Sequence, residues 1–153
     1  MRLPAETMDR LLDTWPVGIL ASVGSQGQPH QVPVVFARVG SRLWSPVDGK
    51  PKAAGELGRV RNLRSNPRAS LLLDHYDEDW TRLWWLRVDL NARVFEPPDP
   101  DADPEVMAAV AALRGKYPQY HDIPVLRAPA TLLALDPVAV TGWCASRDAI
   151  SML

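Results

Sequence analysis

Between Trp84 and Val94 the chain alternates without a break. Trp84, Leu86, Val88, Leu90, Ala92 and Val94 fall on one side, and Trp85, Arg87, Asp89, Asn91 and Arg93 on the other. A period of two held this long fits a β-strand with one face in a core and excludes a helix, whose faces repeat every 3.6 residues. The expected strand runs from Thr81 to Phe95. A second strand, Ala69 to Tyr76, precedes it through the turn-forming run Asp77-Glu78-Asp79.

The flanking segments extend this antiparallel plan. Val17 to Val23 alternates, Ser25-Gln26-Gly27-Gln28-Pro29 breaks it with turn residues, and His30 to Val39 resumes it. Gly40-Ser41 leads to a short strand ending near Ser45, and a last strand is expected from Ala130 to Trp143, interrupted at Pro137, which cannot donate to a ladder. Helical spacing marks Leu3 to Thr14, Lys52 to Asn66 (secure only from Leu57, after Gly55) and Glu105 to Arg114. Asn66-Pro67 stops the second of these, because a residue before proline is driven toward extended geometry. The 153 residues suit one domain, 1–153, with its core in about 17–143 and a fold that is mostly β: a small antiparallel barrel with helices outside it.

Composition excludes several classes of function. Hydrophobic residues at 46% and charged residues at 23% are globular values. One cysteine, Cys144, removes disulfide frameworks, and His30, His75 and His121 are scattered, so no metal site is expected. No apolar run reaches membrane-spanning length and no signal-peptide pattern opens the chain, so a cytoplasmic protein without a membrane partner is expected. A net charge of −1 argues against nucleic acid. An RNA-binding β module using basic and aromatic residues is the remaining reading of that kind.

Charge distribution is more informative than its sum. From Lys50 to Arg68 the chain holds Lys50, Lys52, Arg59, Arg61, Arg64 and Arg68 against the single acid Glu56. Lys50 and Lys52 follow the Asp48-Gly49 turn and sit where a helix begins, and its first N–H groups lack partners, so the segment outlines a site for a small anion. Arg59 and Asn62, one turn apart, could add charge-assisted bonds. The same residues also read as a solvated helix face. Six tryptophans supply flat walls for a planar ring, or simply core packing. Tyr117 and Tyr120 read as packing residues rather than guards of a cleft.

Taken in order, Gly18-Ile19-Leu20-Ala21, Gly27-Gln28-Pro29, Val32 to Phe36, Lys50-Pro51-Lys52 and Arg59 to Leu71 resemble the split-barrel flavin and deazaflavin reductases related to pyridoxamine 5′-phosphate oxidase. Asp74 to Trp80 followed by Leu83-Trp84-Trp85-Leu86-Arg87 is similar to the actinobacterial F420-dependent branch. The resemblance spans about Val17 to Trp143. It implies a six-stranded antiparallel split β-barrel of the FMN-binding type with flanking helices, a homodimer, and two cofactor clefts along the subunit interface. It further implies that Lys50, Lys52 and Arg59, with Arg61 and Asn62, hold the cofactor phosphate. By the same carry-over, the backbone of Val34, Val35 and Phe36 borders the ring, and Trp84, Trp85 and Arg87 lie near the cleft. Relatives place a glycine soon after the tryptophan-rich stretch where this chain reads Leu90-Asn91-Ala92, and the arginine-rich C-terminal segment of the oxidases has no counterpart, so vitamin B6 oxidation is not expected.

The implied activity is hydride transfer between coenzyme F420 and a small conjugated or unsaturated molecule, with no catalytic side chain. An FMN-dependent oxidoreductase and a non-catalytic flavin or F420 carrier are the alternatives.

Overall fold

The computed structural model describes residues 1–48 and 55–151. Helix α1 (Ala5–Thr14) precedes strands β1 (Gly18–Val23), β2 (Pro29–Val34), β3 (Ala37–Val39) and β4 (Arg42–Pro46). Helix α2 (Gly58–Ser65), strands β5 (Arg68–His75) and β6 (Trp84–Phe95), helix α3 (Pro104–Lys116), strand β7 (Leu132–Cys144) and the short α4 (Asp148–Ser151) complete the chain. All strands join one antiparallel sheet in the order β2-β1-β5-β6-β7-β4-β3. Its two edge strands are consecutive in sequence, with only Val35 and Phe36 between them. That short link draws the edges together and curls the sheet into the expected barrel.

The strand count is seven rather than six, because the expected strand over His30 to Val39 is cut in two. At Phe36 the backbone N–H donates to the Tyr117 hydroxyl at 3.0 Å, and that hydroxyl lies 2.8 Å from the carbonyls of both Phe36 and Pro16. A peptide satisfied by a side chain has no need of a ladder partner. A second difference lies at the start of β6, where Trp80–Arg82 is a 3-10 turn instead of strand. The Asp79 carboxylate accepts from the Thr81 N–H at 3.0 Å and from its hydroxyl at 2.7 Å, which winds the chain at that point.

The alternation in β6 holds: Trp84, Leu86, Val88, Leu90 and Ala92 are buried, and Arg87, Asn91 and Arg93 are exposed. They meet Leu20, Leu71, Leu73, Leu133 and Leu135 in the main core, closed by Leu3, Leu11 and Leu12 of the N-terminal segment. Gly142 makes that closure possible, since a Cβ there would lie 2.6 Å from Leu3 Cδ1. The interruption expected at Pro137 is a register shift: Asp89 pairs with Ala139 and Leu90 with Pro137, leaving Val138 unpaired. Helix α3 begins on Pro104 with Asp103 accepting from the N–H groups of Glu105 and Val106. Among the described residues no helix is long and apolar enough to cross a membrane.

Candidate anion site at the start of helix α2

Strand β4 delivers Asp48 to the interior, where only 3% of it is exposed. The chain then runs through the cationic segment to α2. Lys50 and Lys52 lie outside the described residues, so the site is built from what surrounds them. Beyond β4, Val47 is tied to the segment before β7: its N–H donates to the Thr131 carbonyl at 3.0 Å, and the Arg127 N–H donates to the Val47 carbonyl at 3.3 Å. This brings Arg127 beside Asp48 although 79 residues separate them in the sequence.

Helix α2 has Leu57 at the cap position, so no described side chain caps its first N–H groups, the kind of donors that can receive an anion. Gly58 sits against His30 of β2, where a Cβ would lie 3.1 Å from the imidazole Nε2. The next residue, Arg59, is largely enclosed. Among the described residues, its buried Nε has no hydrogen-bond partner, and neither has the buried Nδ1 of His30. Burial pulls the Arg59 guanidinium below its ordinary pKa, the charge of Asp48 opposes that shift, and the like charge of Arg127 adds to it. Burial of a guanidinium donor that no described residue accepts from is one cost, and the like charge of Arg127 is another. An incoming phosphate or carboxylate would relieve both costs, so the residues present fit the anionic tail of a flavin-type cofactor.

Arg127 also lines a cavity of about 240 Å³ with Val47, Leu57, Val60 and Thr131. Next to it a groove of about 540 Å³ runs between Pro97, Pro98, Pro129 and Arg127. The first also carries Glu56, Glu96 and Arg64 and is too small for a tricyclic ring; the second is in the range of small-molecule pockets, roughly 300–1,000 Å³, and Arg59 lines neither.

Asn62 does not reach this space. It is 9% exposed, and its amide donates to the Ser22 hydroxyl at 3.1 Å, fastening α2 to β1. Arg61 is exposed on the outer side of the helix. Val34 is buried in the main core and Val35 packs against the cluster around Tyr117 and Tyr120. Phe36 is fully buried with its peptide engaged by Tyr117 and the Lys116 ammonium 3.8 Å from its ring centroid.

The tryptophans separate. Trp84 is 2% exposed, with Trp15 edge-on at 4.7 Å and His75 stacked at 6.4 Å, so its indole is a core side chain. The β6 alternation explains this, since Trp84 shares its parity with Leu86. Trp85 and Arg87 lie on the outer sheet face, Trp85 opposite Trp143 in β7 and Arg87 beside Asp89 at 3.3 Å. The structure therefore groups Arg59 with Asp48, Arg127 and Tyr120, whose hydroxyl donates to Asp48 Oδ2 at 2.7 Å. Sequence reasoning missed Arg127, and no local signal marks it.

The chain matches the pyridoxamine 5′-phosphate oxidase family over residues 4–144. It belongs to that family. No curated protein sequence matches it. Among solved structures it is similar to an FAD-binding protein from Mesorhizobium loti, at 22% identity over 93% of both chains with a TM-score of 0.66. It is likewise similar to HutZ, the heme storage protein of Vibrio cholerae, at 17% identity over 94% of this chain and 95% of that one, TM-score 0.66. An F420 reductase matches at 21% identity over 86% and 94%, TM-score 0.57. At these identities the likeness establishes the split-barrel fold.

Proposed function

We propose that the protein is an oxidoreductase that binds coenzyme F420, with FMN as the alternative, and carries hydride between it and a small conjugated or unsaturated molecule. The observation that supports this most is the buried Nε of Arg59, which has no acceptor among the described residues, at the start of α2 in the field of Arg127. When bound, the cofactor itself supplies the hydride chemistry. Arg59 and Arg127 bind its anionic tail, joined by Lys50 and Lys52 of the segment leading to the helix, whose first residue is Gly58 rather than the expected Lys52. His30 and Gly58 bring strand and helix close enough to exclude water from that tail. No proton transfer by a side chain is required of this site.

The proposed protein is a cytoplasmic homodimer. The outer sheet face carries Leu72, Trp85 and Trp143, of which Leu72 is 36% and Trp143 38% exposed. Such a surface suits a second copy of the chain, with the ring lying where two protomers meet. Titration of the purified protein with F420 and with FMN, followed by fluorescence, tests the reading. A Kd below about 100 μM for one of them is expected. Binding of neither would end it, and binding without turnover across varied acceptors would favour a carrier.

A further inference from the structure

We propose that the cavity beside helix α3 is a binding site for a small zwitterion with an apolar side chain, of the amino-acid type. The helix carries more apolar surface than the core uses. Val106, Ala109 and Leu113 are buried, yet Met107, Val110 and Ala111 form a second stripe at the spacing of one helical face, continued one turn later by Arg114. That stripe lines a cavity of about 370 Å³ whose opposite wall is Pro124, Val125 and Leu126. Met107 is 53% exposed, so the fold leaves this apolar surface in water. The cavity is of small-molecule size, in the range of roughly 300–1,000 Å³.

Both walls are held without help from the stripe. Val125 is 2% exposed in the cluster around Leu113, Tyr117 and Tyr120, which anchors the far wall. At the rim the Asp101 N–H donates to the Asp99 carboxylate at 3.1 Å and the Ala102 N–H to the Asp99 carbonyl at 3.3 Å, fixing the turn that brings Pro100 and Asp101 to the cavity. Charge then defines the occupant. Asp101 and Arg114 line the same cavity with opposite charges, and neither is in an ion pair among the described residues. Arg38, Arg42 and Arg64, by contrast, each take a carboxylate of the fold at 2.6 or 2.7 Å. A ligand carboxylate on Arg114 and its ammonium on Asp101, with an apolar side chain against Met107, Val110 and Leu126, satisfy all three features together. A carboxylate alone would meet the like charge of Asp101, and an amine alone that of Arg114. The cavity adjoins the groove beside Arg127 through Pro100 and Leu126 and shares no charged residue with it, so binding here is independent of the cofactor reading.

Titration of the full chain with L-leucine, followed in ¹H–¹⁵N spectra, tests the site. Shifts concentrated at Met107, Val110, Ala111, Arg114 and Leu126 are expected, with a Kd below about 1 mM. Two truncated probes, 4-methylpentanoate without the amine and 3-methylbutylamine without the carboxylate, should each bind about tenfold more weakly or worse. Arg114→Gln and Asp101→Asn, both at exposed positions, should each weaken leucine by a similar factor, and Ala111→Trp should fill the cavity and abolish binding. Arg61→Gln, exposed on α2, should leave it unchanged. No shift at the cavity residues in about 10 mM leucine, some ten times the expected limit, overturns the proposal. So does 4-methylpentanoate binding as tightly as leucine, which would make the cavity a site for simple anions. Movement of the same signals on dilution of the protein alone also overturns it, since a second copy of the chain would then be the occupant.

Discussion

Four arginines of this molecule show two kinds of surroundings. Arg38 is clasped by Asp9 at 2.7 Å and Asp13 at 2.6 Å, Arg42 by Asp136 at 2.7 Å and Glu105 at 2.9 Å, and Arg64 by Glu56 at 2.7 Å and Glu96 at 2.6 Å. Each ties two or three elements together, and the carboxylates raise its pKa, chiefly through Asp13, Asp136 and Glu96 respectively. Arg59 is shifted the opposite way, with burial as the leading cause and a buried Nε that has no partner among the described residues. The contrast separates cations whose carboxylate partners lie within the fold from Arg59, whose Nε has no acceptor among the described residues and is held in reserve; Arg82 also has such an Nε but is paired with Asp77 at 3.2 Å. A fold that only needed to pin α2 already does so with Asn62 and Arg64.

The sharpest way to break this comparison is to neutralise one arginine of each kind. Arg59→Gln is expected to weaken F420 or FMN binding about 100-fold, or about 2.7 kcal/mol, the scale of lost charge-assisted bonds to an anion. Arg64→Gln, only five residues away on the exposed side, should change it less than about twofold. Fluorescence titrations at one fixed ionic strength would decide. Equal losses in the two variants would mean that bulk positive charge, rather than a built site, attracts the ligand.

Legibility in the sequence followed the range of the forces involved. The inward face of β6 and the helical stretch after Leu57 depend on neighbours a few positions away, and both could be read directly. The division of β2 from β3 could not, because the hydroxyl that satisfies Phe36 belongs to Tyr117, 81 residues on. Arg127 and Tyr120 reach Asp48 by equally long routes. Trp84 is a different case: its parity with Leu86 already assigned its indole to the core, where it lies, while the family resemblance places its segment near a cleft. The turn at Trp80–Arg82 had a readable local cause in Asp79 and Thr81.

Lys116 sharpens the comparison from another side, since an amine can shed the charge that a guanidinium must keep. Burial lowers its pKa to about 8, opposed by Asp13, while burial raises that of Tyr117 to about 12. Between about pH 8 and 10.5 the unfolded chain binds more protons at Lys116 than the folded one, so stability rises with pH over that range. Above about pH 10 the folded tyrosines retain protons that the unfolded chain loses, and stability falls. Denaturant unfolding across pH 7–12 should therefore show a maximum near pH 10. Lys116→Met should abolish the rising limb and leave the falling one; a rise surviving in that variant would exclude Lys116 as its source.

The smallest effect is expected where the charges are already matched. Arg38 binds Asp9 and Asp13 on α1 from β3, and these carboxylates are 63% and 52% exposed. Water screens such pairs, so Arg38→Ala should lower unfolding stability by only about 1 kcal/mol or less. The loss should shrink further as salt is raised toward about 1 M, where the Debye length is about 3 Å. Leu11 and Leu12, at 2% and 4% exposure, bear most of the attachment of α1 instead, and truncating Leu11 to Ala should cost roughly 2–5 kcal/mol. If thermal and urea unfolding ranked Arg38→Ala above Leu11→Ala, the paired arginines would be holding the fold together, and the distinction between completed and reserved cations would no longer rest on their surroundings.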